Sequence, residues 1–122
     1  MKVLQIILFL FLANTSFAQV EIKSEDASKH VGEKVLIKEA KVVGIYDKSG
    51  KMISLNIGKN FPEQDFSIII FKENFEKFLD YKKFDGKTVS IMGEMKFYQK
   101  DTSKKGIYQV ILKEPEQIEV LN

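Results

Sequence analysis

The chain has 122 residues, 44% hydrophobic and 30% charged, which suits one small globular domain with a modest core. Nineteen basic and 17 acidic residues leave a formal charge of +2, so no global field draws in nucleic acid and any basic site must be local. There is no Cys, no Arg and a single His, which excludes disulfides, a Cys–His nucleophile pair and a zinc site of the usual ligand type.

Residues 1–18 read as a secretory signal peptide. Met1-Lys2 supplies a positive start, Val3 to Ala13 is apolar except for Gln5, and Ser16 and Ala18 are the small residues that a signal peptidase reads. The apolar run is shorter than the roughly 20 residues needed to span a bilayer, and no Cys follows it to carry a lipid. The expected product is a periplasmic or secreted bacterial protein, a single domain over residues 19–122. Losing Lys2 leaves 18 Lys against 17 acids, a net charge of +1.

A short helix is expected from Ser24, with Ser24 as cap, Glu25 and Asp26 in its first turn and Gly32 as its stop. VLIKEAKVVGIY (35–46) is β-branched and alternating, with a phase shift near Glu39-Ala40 that predicts a bulge in a long first strand. DKSGK (47–51) is a turn. MISLNI (52–57) is a half-buried second strand, with Ile53, Leu55 and Ile57 facing one way and Met52, Ser54 and Asn56 the other.

The connector 58–65, with Phe61-Pro62 in its middle, leads to FSIIIF (66–71), a third and more continuously apolar strand. A helix is expected over Asn74 to Phe84, with Phe75, Phe78 and Leu79 on one face as a barrel plug and Asp85-Gly86 ending it. A fourth strand spans Lys87 to Tyr98 and a fifth Ile107 to about Lys113. Ile118 and Val120 form a short extension after Pro115.

This order, a short helix and then β–β–β–helix–β–β, is that of the mainly-β OB-fold, a five-stranded Greek-key barrel with a helix between strands three and four. It leaves an SH3-like barrel, a β-grasp and an α+β roll as other plans. Asn56-Ile57-Gly58, Phe61-Pro62-x-Gln64-x-Phe66 and Ile70-Phe71, followed by a helix and Gly86-Lys87-x-Val89, resemble small exported bacterial OB-fold domains. Those domains are similar to nucleic-acid-binding and tRNA-anticodon-binding OB domains. A looser similarity is to the exported OB-fold family linked to stress responses.

Catalysis is poorly supported, since His30 sits at a helix end and no arginine fork is present to clamp a phosphate. Glu63 and Asp65 are too few for a hard cation, which takes six or more oxygens. No enzyme, no cofactor and no metal are therefore expected. Binding is better supported. OB-folds take ligands across strands two and three, flanked by the loops joining strands 1–2 and 4–5.

Here those loops are 47–51 and 99–106, and together they hold five Lys (Lys48, Lys51, Lys100, Lys104, Lys105) and two Asp. Such lysines suit phosphate contact, and Tyr98 and Tyr108 beside the second loop could stack on bases. Asn56 is the strand-two residue placed to touch a ligand, while Phe61 and Pro62 read as covering a barrel end. The partner expected is single-stranded nucleic acid or another polyanion. The alternative is an envelope protein-interaction or stress-related module that takes a peptide, a cation or a small molecule.

Overall fold

The computed structural model describes residues 19–121, so the signal-peptide reading of residues 1–18 lies outside the described residues. Eight strands form: β1 (Val20–Glu21), β2 (Lys34–Lys48), β3 (Met52–Ile57), β4 (Phe66–Phe71), β5 (Thr88–Glu94), β6 (Lys96–Tyr98), β7 (Ile107–Ile111) and β8 (Ile118–Val120). Four short 3-10 segments separate them: η1 (Ser24–Lys29), η2 (Lys72–Lys77), η3 (Tyr81–Phe84) and η4 (Pro115–Gln117). Among the described residues, no helix is long and apolar enough to cross a membrane.

The long strand β2 organises the fold. Its first half pairs antiparallel with β5, from Lys34↔Glu94 to Lys41↔Thr88, and its second half with β3, from Val42↔Ile57 to Lys48↔Met52. Register shifts at Ile37/Ala40 and Val42/Gly44 let it bend between the two partners. The first shift lies where the sequence predicts it: Lys38 and Glu39 both face out, and Ala40 and Val42 then return to the core.

β3 pairs antiparallel with β4, β4 runs parallel to β7, and β7 pairs with β6. The strand expected over Lys87 to Tyr98 breaks at buried Met95. There the backbone leaves the ladder, Met95 N–H donating to Glu33 and Met95 C=O accepting from Gly32. The first half of that run serves β2 and the second serves β7. Pairing therefore runs β6–β7–β4–β3–β2–β5, and β5 and β6 belong to one run of chain, which is the strand order of the five-stranded OB barrel.

The remaining strands are additions. β1 lies parallel to β2, and β8 pairs with β5 as the terminal extension. Val35, Ile37, Leu55, Ile68, Ile91 and Val110 are at most 1% exposed and represent the core, with one or more from each of β2, β3, β4, β5 and β7. Gln117 joins two strands on the far side, its Nε2 donating to Met92 of β5 and Ile111 of β7.

Two helix expectations are corrected. Residues 74–84 do not form one α-helix but belong to the 3-10 segments η2 and η3, with a break at 78–80. The reason is the spacing of the aromatics. Phe75, Phe78, Tyr81 and Phe84 recur every third residue, the 3-10 period that aligns i with i+3. Phe78 and Phe84 are buried, and Phe75 and Tyr81 pack against the core. Leu79 falls off this line and is 81% exposed, so it is no part of the plug.

Near the N-terminus, Ser24 does not cap η1. Lys23 holds the cap position without a side-chain bond, and Ser24 Oγ donates instead to Asp65 Oδ2 at 3.1 Å. η1 ends at Lys29 with His30 as its C-cap, and Gly32, expected as its stop, takes φ +89° in the turn beyond.

The plug assignment predicts opposite outcomes for two neighbours. Phe84→Ala should destabilise the domain by about 3–5 kcal/mol, while Leu79→Ala should stay within about 0.5 kcal/mol. Denaturant unfolding of both variants measures the contrast.

Candidate nucleic-acid interface

Residues opposite one another in a sheet share a face, so the register of β2, β3, β4 and β7 fixes what their outer surface presents. One row is Lys48, Met52 and Phe71. The next is Tyr46, Ser54, Ile69 and Ile111. A third is Gly44, Asn56, Ser67, Gln109 and Lys96. Tyr98 follows Lys96 by two residues and shares its face, at the outer edge of the sheet. Tyr46 and Tyr98 are more than half exposed and Phe71 is 36% exposed, which leaves three aromatic rings partly open on this surface.

The middle of the surface is polar and fixed. Asn56 Oδ1 accepts from Ser54 Oγ at 3.3 Å and from Ser67 Oγ at 3.2 Å, and Ser67 Oγ accepts from Gln64 Nε2 at 3.1 Å. With its oxygen doubly engaged, Asn56 keeps its amide N–H groups as the donors it can offer a ligand. All three strand residues are less than a tenth exposed.

The two lysine loops flank this surface from opposite ends. The turn after β2 has Ser49 at φ +55° and Gly50 at φ +70°, and Asp47 Oδ1 accepts from the Gly50 N–H at 3.1 Å. It carries Lys48 and Lys51 at the start of β3, where Lys72 joins them through its N–H to the Lys51 carbonyl. The loop 99–106 precedes β7, which runs parallel to β4, so Lys100, Lys104 and Lys105 lie at the end where β4 begins. The six residues of β4 separate the ends by about 17–20 Å. Among the described residues, none of these lysines is ion-paired with a carboxylate.

Asp101 shapes the second loop. Its Oδ1 accepts from the N–H and the hydroxyl of Ser103, and its carbonyl accepts from the Lys104 N–H. These bonds, the Ser103 hydroxyl first, hold the Asp101 carboxyl below the usual carboxylate range. Gln99 Nε2 closes the loop by donating to the Lys104 carbonyl at 2.8 Å.

Two candidate residues stand apart from the outer surface. Tyr108 has the opposite phase to Gln109, packs against the core and meets Phe97 with ring centroids 5.1 Å apart. Beside that pair Gly106 lies against the Phe97 ring, which an added Cβ would force to move. Lys105 Nζ donates to the Pro62 carbonyl at 2.9 Å, binding the loop to the connector.

The connector itself is a further correction. Phe61 is 64% exposed and covers no barrel end. Instead, Asn60 lies against Gly44 and Gln64 against Ser67, so the connector folds over one margin of the outer surface. Gly58, at φ +87°, admits the Asp65 carboxylate against its Cα. Between the connector, η1 and the start of β7 is a cavity of about 230 Å³. Gln64 lines it, and Gln64 Oε1 is buried without a hydrogen-bond partner, which costs about 1–3 kcal/mol.

The sequence placed both lysine loops and Asn56 beside this surface, and the structure adds Lys72 and Phe71 to it, with Ile69 on the same face but buried. The alternation of MISLNI gives the direction of β3, whereas FSIIIF is apolar on both faces and conceals which of its residues face out. His30 is occupied by Glu33, Nδ1 to Oε1 at 3.1 Å. Among the described residues, no three His, Cys, Asp or Glu side chains converge as a metal site.

No family model matches the chain, and no curated protein does. Solved structures do. An aspartyl tRNA synthetase from Entamoeba histolytica aligns over 85% of this chain with a TM-score of 0.58 and 17% identity. A putative aspartyl-tRNA synthetase from Leishmania major aligns over 86% with a TM-score of 0.57 and 13% identity. The asparaginyl-tRNA synthetase of Entamoeba histolytica aligns over 85% with a TM-score of 0.52 and 15% identity. At such identities the likeness is one of fold. The chain spans about a fifth of each synthetase, 21% to 23% of its length.

The loop geometry carries a pH dependence. Because the folded Asp101 carboxyl titrates below the ordinary value of 3.8, its contribution to loop order is complete above that value. It is lost as the pH falls through the folded value. The amide resonances of Ser103 and Lys104 should hold their positions down to about pH 4 and move below it. In Asp101→Ala they should sit at the acid-limit positions at neutral pH.

Proposed function

We propose that this protein is an exported, non-catalytic OB-fold domain that binds single-stranded nucleic acid, or a polyanion of similar charge spacing, across the outer surface of β3 and β4. The observation that carries the reading is the arrangement of charge. Lysines without carboxylate partners stand at both ends of a surface that carries exposed Tyr46, Phe71 and Tyr98. A single strand needs this combination: cations along its backbone and rings for its bases. The neighbours in fold are named as tRNA synthetases, which supports a nucleic-acid ligand. The absence of Cys and Arg from the sequence supports binding over chemistry. Export rests on the apolar run Val3 to Ala13 and the small residues Ser16 and Ala18.

A second reading is an envelope interaction module whose surface receives a peptide or a small molecule. Its specific support is the connector, which covers the Asn56–Ser67 margin and shortens the open surface.

Titration with an oligothymidylate of about 12 nucleotides separates the readings. With four lysines engaged, the logarithm of affinity should fall against the logarithm of salt with a slope of about −3. Replacing Lys48, Lys51, Lys100 and Lys104 together by Ala should bring that slope close to zero. No binding at about 50 mM salt contradicts the nucleic-acid reading. A sulfated glycan that binds as tightly, with the same lysine dependence, selects the broader polyanion.

A further inference from the structure

The cavity between η1, the connector and β7 holds opposite charges that face one space without pairing. Glu25 of η1, Asp65 of the connector and Lys105 of the loop before β7 all line it, and among the described residues no ion pair joins Lys105 to either carboxylate. Each keeps capacity for a ligand. The Lys105 ammonium gives one of its three protons to the Pro62 carbonyl, and Asp65 accepts a single side-chain bond, from Ser24. Gln64 also lines the cavity. Phe61 and Tyr108 supply aromatic wall.

We propose that this cavity binds a free α-amino acid with an apolar or aromatic side chain. The α-ammonium has three N–H groups, and the cavity offers the Asp65 and Glu25 carboxylates as their acceptors. The α-carboxylate meets Lys105, and the side chain lies against Phe61 and Tyr108. A simple anion would have two carboxylates to face and a simple amine would have Lys105, so only a ligand carrying both charges satisfies the walls. The volume of about 230 Å³ lies below the range of about 300–1,000 Å³ that holds drug-sized ligands, which limits the occupant to a small molecule. The net negative lining also sets this site apart from the lysine-flanked outer surface, so the inference stands independently of the nucleic-acid reading.

The test is an amide NMR titration of the protein with L-phenylalanine, with 3-phenylpropionate, which lacks the amine, and with phenethylamine, which lacks the carboxylate. L-phenylalanine should give saturable shifts at Gln64, Asp65, Gly106 and Tyr108. The two single-charge analogues should bind at least about tenfold more weakly. Asp65→Asn and Lys105→Met should each weaken L-phenylalanine by about tenfold or more while the dispersion of the spectrum shows an intact fold. Three outcomes would overturn the proposal: no saturable shift in the native protein, equal binding of the three ligands, or full binding by both variants. Oligothymidylate binding should be unchanged in Asp65→Asn, so failure here is separable from failure of the outer-surface reading.

Discussion

The fifteen residues of β2 must pair with two different strands, and that requirement shapes the rest of the molecule. A straight strand would hold its partners in one flat sheet. With two register shifts, β2 turns from β5 to β3 and carries the sheet round on itself. The break of the neighbouring run at Met95 is the complementary event, since that run must also serve two partners. Its released backbone groups go to Gly32 and Glu33, so the break leaves no buried N–H or C=O of Met95 unmet. β7 lies parallel to β4, and that pairing decides where the loop 99–106 emerges.

The position of that loop gives the outer surface its electrostatic character. Two short lysine-rich segments, far apart in sequence, end at opposite ends of the same strand pair. Neither makes a site alone, because exposed lysines in water bring little affinity singly. Their value lies in separation: a ligand that reaches both must be extended and repeatedly charged. Between them lies the hydrogen-bonded Ser54–Asn56–Ser67–Gln64 chain, and the proposed ligand would find the aromatic rings beside it. The connector is the shared element. Its Gln64 reaches the floor of the outer surface and also lines the cavity that faces η1.

Much of this was legible from residue pattern. The alternation of MISLNI gave the inward and outward faces of β3, and the phase slip at Glu39-Ala40 gave the bulge, because both follow from local geometry. Asn56 could be singled out because it is a polar residue on the outward phase of a central strand, where the structure gives it two side-chain bonds. The plug was misread because Phe75, Phe78 and Leu79 fit an α-helical spacing, while the full set of aromatics, through Tyr81 and Phe84, fits a period of three. The connector was misread for a different reason. Strand order shows at which end it emerges, but the Lys105 to Pro62 bond that ties it to the loop before β7 is long-range and leaves no local trace. The same holds for Tyr108, whose inward phase follows from the register of β7 against β4.

The central claim is that a ligand lies along the outer surface of β3 and β4 and bridges the two lysine loops. The most direct measurement is a map of amide and side-chain NMR shifts on addition of oligothymidylate. The account predicts perturbations at the side-chain amide of Asn56, at Tyr46, Phe71 and Tyr98, and at both loops, with β8 and the η2–η3 plug unmoved. Perturbations confined to one loop, or centred on β8, would contradict it.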